Sequence, residues 1–177
     1  MAAFEYENLI ESIPDYPKPG VVFKDITPLL ADPDGFAATI KELANPYRDA
    51  GVTKVVGAEA RGFMVGAPVA RELHAGFVPA RKPGKLPREV AAEDYDLEYG
   101  TATLQVHLDA FGPGDKVLIV DDLVATGGTM VAMIKLIEKL GAALVGIACL
   151  MELEFFNPRD ILATATDKQL HSLVKVQ

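Results

Sequence analysis

Asp121 and Asp122 follow the apolar run Val117-Leu118-Ile119-Val120 and precede Leu123, Val124 and the small-residue loop Ala125-Thr126-Gly127-Gly128-Thr129. Adjacent carboxylates can face sugar hydroxyls or a metal-bound substrate. A loop of small side chains lets backbone N–H groups approach a phosphate, and a helix starting just beyond it adds its dipole. The short continuous apolar run is the pattern of a strand covered on both faces in a parallel sheet, so the aspartates are expected at its carboxyl end. Ligands bind at that edge in open α/β sheets. Hydroxyls at one end and a phosphate at the other point to a sugar phosphate. The plainer reading is a tight strand-to-helix turn with solvated aspartates, but it sets two like charges beside a bare glycine loop with nothing to offset them. A Walker A loop does not fit, since it needs Gly-Lys-Ser/Thr and Thr129 follows Gly128 directly.

A second group that could do chemistry is Arg81-Lys82-Pro83-Gly84-Lys85-Leu86-Pro87-Arg88, four cations in a Pro/Gly-rich loop within a chain of net charge −8. A charge run is often only a solvated loop. Beside a phosphate cradle elsewhere in the chain, this one suits a small polyanion such as diphosphate. The overall acidity argues against a general affinity for nucleic acid.

These groups need elements to hold them. The reading is a short amphipathic helix from Met1 to about Ile13, ended by Pro14, then an extended connection through Pro17-Lys18-Pro19-Gly20. Asp32-Pro33 supplies an N-cap and a proline at the first helical position, and Phe36, Ile40 and Leu43 the stripe of a helix stopping near Pro46. A strand over Val52 to Gly57 turns at Glu59-Ala60-Arg61-Gly62 into a helix from Phe63 to about His74, and Phe77 to Ala80 makes a short strand. A long connection from Arg81 to about Tyr99 reads as a mobile active-site lid. Thr101 to Leu108 alternates as a half-buried strand, and a helix from Thr129 to Leu140 leads to a strand over Ala143 to Leu150. Strands and helices therefore alternate as in a doubly wound, mostly parallel α/β sheet flanked by helices.

Length and composition agree with one domain. The chain has 177 residues, half of them hydrophobic, and a single cysteine, Cys149, in an apolar run where it reads as core and offers no disulfide partner. That usage fits a reducing compartment, the start lacks a secretory pattern, and no apolar segment approaches the ~20 residues of a membrane span. A cytoplasmic protein is expected. The three histidines His74, His107 and His171 are scattered and form no site.

The segment from Val117 to Met130 resembles the phosphoribosyl diphosphate (PRPP) signature of the type I phosphoribosyltransferases. Four other segments, in order, look like the adenine phosphoribosyltransferase family: Pro19 to Pro28 (PGVVFKDITP), Glu59-Ala60-Arg61-Gly62-Phe63, Arg81 to Pro87 (RKPGKLP), and Leu97-Glu98-Tyr99-Gly100. The resemblance implies the type I fold, a small N-terminal hood over approximately residues 1–30, and a flexible loop over approximately 81–99.

It also implies roles. Phe23 stacks on adenine, backbone groups of Val22 and Lys24 bind the base edge, and Leu123 covers the other face. Lys24 stands where the family often has arginine, a change that leaves backbone recognition intact. Asp121, Asp122, Ala125, Thr126, Gly127, Gly128 and Thr129 hold the ribose phosphate; Arg61, Arg81, Lys82 and Lys85 hold the diphosphate, one of the flap cations coming across a dimer interface in the family's fashion. Arg61 and Glu98 are the implied catalytic residues, Glu98 accepting the N9 proton. Taken singly, Phe23 reads as core packing, and Arg61 and Glu98 as surface charges. The implied reaction moves a 5-phosphoribosyl group from PRPP to adenine, giving AMP and diphosphate, in a homodimer that binds neither nucleic acid nor membrane. Mg²⁺ is the implied cofactor, held by substrate oxygens without direct protein ligands. Two other readings share the signature: a transferase for another base, and a PRPP-sensing regulator of the same fold.

Overall fold

The computed structural model describes residues 4–96 and 100–177. A 3-10 turn, Tyr6–Leu9, leads to a hairpin of β1 (Glu11–Pro14) and β2 (Val22–Asp25), paired so that Ile13 faces Phe23. Helices α1 (Thr27–Ala31) and α2 (Pro33–Ala44) follow, with the Asp32 carboxylate capping α2 by accepting from the Gly35 N–H at 2.7 Å. Then come β3 (Lys54–Ala58), α3 (Arg61–Glu72), β4 (Gly76–Ala80), β5 (Val90–Asp96), β6 (Thr101–His107), β7 (Lys116–Val124), α4 (Gly128–Lys139), β8 (Ala143–Leu153), α5 (Pro158–Ala163) and β9 (Leu170–Val176).

The central sheet has five parallel strands in the order β4-β3-β7-β8-β9. The inner strands β3, β7 and β8 carry continuous apolar runs because both of their faces are covered. Neighbouring residues go to opposite sides: Val56 and Ile119 pack with α4 and the β5–β6 ribbon, Val55 and Leu118 with α2 and α3. Tyr47, just past α2, is buried and donates its hydroxyl to the Ile147 carbonyl in β8 at 3.1 Å. A third cluster, Tyr6, Ile26, Leu29, Leu150, Met151 and Val174, seats the N-terminal hairpin against the end of β8 and β9.

The connections β3-α3-β4 and β7-α4-β8 run in opposite directions along the sheet, so the strand order reverses between β3 and β7. The two strands pair only from Lys54–Val117 to Val56–Ile119 and then diverge. A crevice opens at the carboxyl ends of both, the place where such sheets bind ligands.

Three expectations need correction. The segment expected as a helix from Met1 to Ile13 holds, in its described part, the 3-10 turn and β1, because Ile13 and Pro14 pair with the hood strand. The Arg81–Tyr99 connection is not wholly irregular. Residues 90–96 are β5, paired antiparallel with β6 and burying Ala91 against Leu104 and Val106, and Arg81 bridges to Gln105, so among the described residues the irregular part is 82–89. Asp121 and Asp122 lie within β7, not past its end, because β8 keeps pairing alongside as far as Glu152 after β3 has parted.

Replacing Tyr47 with Phe removes the donor that ties the end of α2 to β8, and is expected to cost about 1 kcal/mol in urea-unfolding stability.

Candidate active site

The crevice is built from the ends of β3 and β7. Beyond β3 the chain turns through Glu59 and Ala60 into α3, which places Arg61 at the first helical residue. On the other side Asp121 and Asp122 are 6% and 5% exposed, although carboxylates seldom lie inside without partners. The turn can approach them because residue 62 is glycine: a Cβ there would run into the Asp121 carboxylate. The Asp122 N–H donates to Asp121 Oδ1 at 2.9 Å, and Arg61 Nε lies 2.8 Å from Asp122 Oδ2. That second contact is an ion pair off the hydrogen-bond axis, so Asp122 Oδ2 remains a buried oxygen without an aligned donor.

Burial, and then the neighbouring Asp122 charge, push the Asp121 carboxyl well above the usual carboxylate range. Arg61 pulls the other way but does not prevail.

A cavity of about 230 Å³ lies between these elements, lined by Glu59, Ala60, Arg61, Lys82, Tyr95, Asp121, Asp122 and Thr129 among others. The loop after β7 closes one side. Gly127 caps α4 with φ +92°, a conformation that glycine adopts without strain. Thr126 and Gly128 line an adjoining cavity of about 340 Å³, with Tyr95, Asp96 and Ile161.

The flap cations sit over the same turn. Arg81 Nε and Lys85 Nζ donate to the two carboxylate oxygens of Glu59 at 2.8 and 2.7 Å. Burial raises the Glu59 pKa, but the hydrogen bonds from Lys85 and Arg81 outweigh it and hold the group below its ordinary value. Arg88 is turned elsewhere, toward Asp109 at 2.5 Å, where both side chains are exposed. Such a pair contributes little.

The hood supplies a second, more apolar cavity of about 380 Å³, lined by Ile13, Tyr16, Phe23, Ile26, Leu30, Arg61 and Met64 among others. Tyr16 meets the Phe23 ring edge-on at 5.3 Å, and the Arg61 guanidinium carbon lies 5.3 Å from the centre of the same ring. Arg61 therefore borders both cavities. Val22 and Lys24 fall on the face of β2 opposite Phe23, as a strand's period of two demands. Val22 is exposed, and the Lys24 ammonium reaches Ser12 Oγ at 2.7 Å. Leu123 packs in the hood cluster with Ile26, which itself borders the Phe23 cavity.

The structure thus gathers Arg61, Lys82, Asp121, Asp122 and Thr129 around one cavity and Phe23 with Arg61 around the next. Arg81 and Lys85 lie alongside on Glu59. Ala125 lies in the loop between β7 and α4. Glu98 lies outside the described residues. Sequence reasoning assigned Glu59 only to shaping the turn and missed Tyr16, Met64 and Tyr95. Glu59 was legible in principle, as an acid beside Arg61 in a chain with a cluster of cations. The two tyrosines carry no spacing signal, since a hairpin and a ribbon bring them in from far along the chain. Among the described residues no group of three His, Cys, Asp or Glu side chains is gathered to hold a metal ion.

A doubly wound sheet with an acidic pair and a glycine loop at its switch point, beside an arginine-headed helix, defines a phosphoribosyltransferase. The phosphoribosyl transferase domain family matches residues 27–169. The adenine phosphoribosyltransferase of Pectobacterium carotovorum subsp. carotovorum is 59% identical over 147 residues, covering 83% of this chain and 80% of that protein. The Rhodothermus marinus adenine phosphoribosyltransferase superposes with a TM-score of 0.90 at 45% identity, over 97% of this chain and 96% of that one. The Giardia lamblia enzyme, solved with 9-deazaadenine, gives 0.93 at 39% identity, over 100% and 99%. The chain belongs to the adenine phosphoribosyltransferase family, enzymes of the pentosyl-transferring class.

Because the folded Asp121 pKa lies above its unfolded value, the folded state binds more protons across the window between the two, and stability falls as pH rises through it. Asp121→Asn removes that loss. Urea unfolding from about pH 4 to pH 8 should show the variant gaining on the parent as pH rises above the ordinary carboxylate range, with the advantage vanishing in acid.

Proposed function

We propose that the chain transfers the 5-phosphoribosyl group of PRPP to adenine, forming AMP and diphosphate in purine salvage. The observation that carries this reading is the position of Arg61 between two cavities, one edged by the acid pair and Thr129, the other floored by Phe23. The anomeric carbon belongs at that junction.

The backbone N–H groups of Ala125, Thr126, Gly127, Gly128 and Thr129 receive the 5-phosphate, helped by the dipole of α4. Asp121 and Asp122 bind the ribose hydroxyls, and their negative field offsets the positive charge that develops on the ring. Arg61 shifts its fork from Asp122 to the diphosphate, joined there by Arg81, Lys82 and Lys85. Adenine stacks on Phe23, with Leu123 on its other face and the backbone of Val22 and Lys24 at its edge. Buried backbone groups reject a wrong base because mismatched hydrogen bonds leave them unpaired. As N9 bonds to the anomeric carbon, the carbon–oxygen bond to diphosphate breaks and the N9 proton passes to Glu98.

Mg²⁺ would arrive on the substrate, with the oxygens of Asp121 and Asp122 at the ribose subsite the protein groups nearest to it. Bound there, it would supply charge neutralisation for the leaving diphosphate. The single domain, with its hood over approximately 1–30 and its flap, works as a homodimer in the cytoplasm. No described helix is long and apolar enough to cross a membrane.

Steady-state turnover with PRPP should favour adenine over guanine, hypoxanthine and orotate. A preference for any of the other three overturns the assignment, and tight RNA binding without AMP formation favours a regulator. In single-turnover measurements Glu98→Gln should slow the chemical step by about a hundredfold or more, with a much smaller change in PRPP affinity.

A further inference from the structure

Glu152 is 1% exposed, and in the β7–β8 register it stands opposite Val124, the residue just before the phosphate loop. A carboxylate that deep must be paired. Arg159, the second residue of α5, donates Nε and Nη2 to its two oxygens at 2.8 and 2.7 Å, and the Ser172 hydroxyl of β9 adds a third bond at 2.7 Å. The fork locks α5 in both position and rotation, as a single lysine contact could not.

The locked helix leans on the loop. A Cβ at Gly127 would lie 3.4 Å from the Pro158 carbonyl oxygen and 3.6 Å from Ile161 Cβ, so the two segments run close enough that one added methyl group would bring them into van der Waals contact. Ile161 also lines the 340 Å³ cavity together with Thr126 and Gly128. Gly127 is the left-handed residue on which the loop's shape turns, and α5 stands directly behind it.

We propose that Arg159 is a positioning residue for the phosphate loop. Its bidentate bond to Glu152 holds Pro158 and Ile161 against Gly127, and so keeps the N–H groups of residues 125–129 aimed at the 5-phosphate. The assignment of that phosphate rests on the transferase reading above. Arg159 touches neither substrate; it acts through α5.

Breaking one partner leaves a buried charge and lowers stability for reasons unrelated to the loop, whereas removing both relieves that cost. Arg159→Met and the double variant Glu152→Gln/Arg159→Met are therefore compared in the full chain. The single variant should lose stability in urea unfolding and raise the KM for PRPP by about tenfold. The double variant should regain stability yet keep the raised KM for PRPP, with a smaller change in kcat and the KM for adenine, at saturating PRPP, near the parent value. Calorimetric titration of ribose 5-phosphate should weaken in parallel. Recovery of the PRPP KM and of ribose 5-phosphate affinity together with stability would show a merely structural pair and overturn the proposal, as would an equal rise in both KM values. A parent that turns over no base sinks the transferase reading alone, and the ribose 5-phosphate titration still decides the role of Arg159.

Discussion

Two adjacent carboxylates buried in a strand are the constraint around which this molecule is arranged. Asp121 and Asp122 carry more charge than the interior tolerates unaided, and their surroundings are organised to answer it. β3 parts from β7 so that the aspartates face a crevice instead of another strand. Gly62 brings the opposing turn close, and Arg61 at the start of α3 sets a counter-charge against Asp122. The arrangement stays incomplete, with Asp121 raised in pKa and one oxygen of Asp122 lacking an aligned donor. Unfinished pairing of this kind is where a ligand with hydroxyls and a cation gains most.

How far the residues announced this differs from element to element. The parallel core was plain in Val117–Val120 and Ala143–Leu150, because continuous apolar runs are what strands covered on both faces require. The strand-to-helix turn between β7 and α4 was plain for a local reason, since Thr126, Gly127 and Gly128 declare their backbone needs within five residues of chain. The hood and ribbon were not. Glu11–Pro14 and Val90–Asp96 are strands only because a distant partner pairs with them, and nothing local in Ser12 or Glu93 says so. The same holds for the site: the edge of the sheet toward which Asp121, Asp122 and Arg61 lie could be foretold, whereas Tyr16, Tyr95 and the Glu152–Arg159 pair depend on packing between segments far apart.

The hood and the sheet divide the labour between apolar contact and charge. The Phe23 cavity is walled chiefly by Ile13, Ile26, Leu30 and Met64, the neighbouring one by acids and bases. Arg61 belongs to both, its guanidinium lying over the Phe23 ring in the first and pairing with Asp122 in the second. A side chain in that position couples the two cavities: whatever draws the guanidinium from Asp122 also changes what lies over the Phe23 ring.

The clamp of Arg81 and Lys85 on Glu59 bears on how an anion enters and leaves. The flap cations are never bare in this state, because a resident carboxylate satisfies both. Under the roles proposed above, an arriving diphosphate swaps places with that carboxylate as counterion, and on departure the cations return to it without passing through an unpaired state. In those roles the Glu59 carboxylate is a built-in reference anion, against which any arriving anion must compete for Arg81 and Lys85.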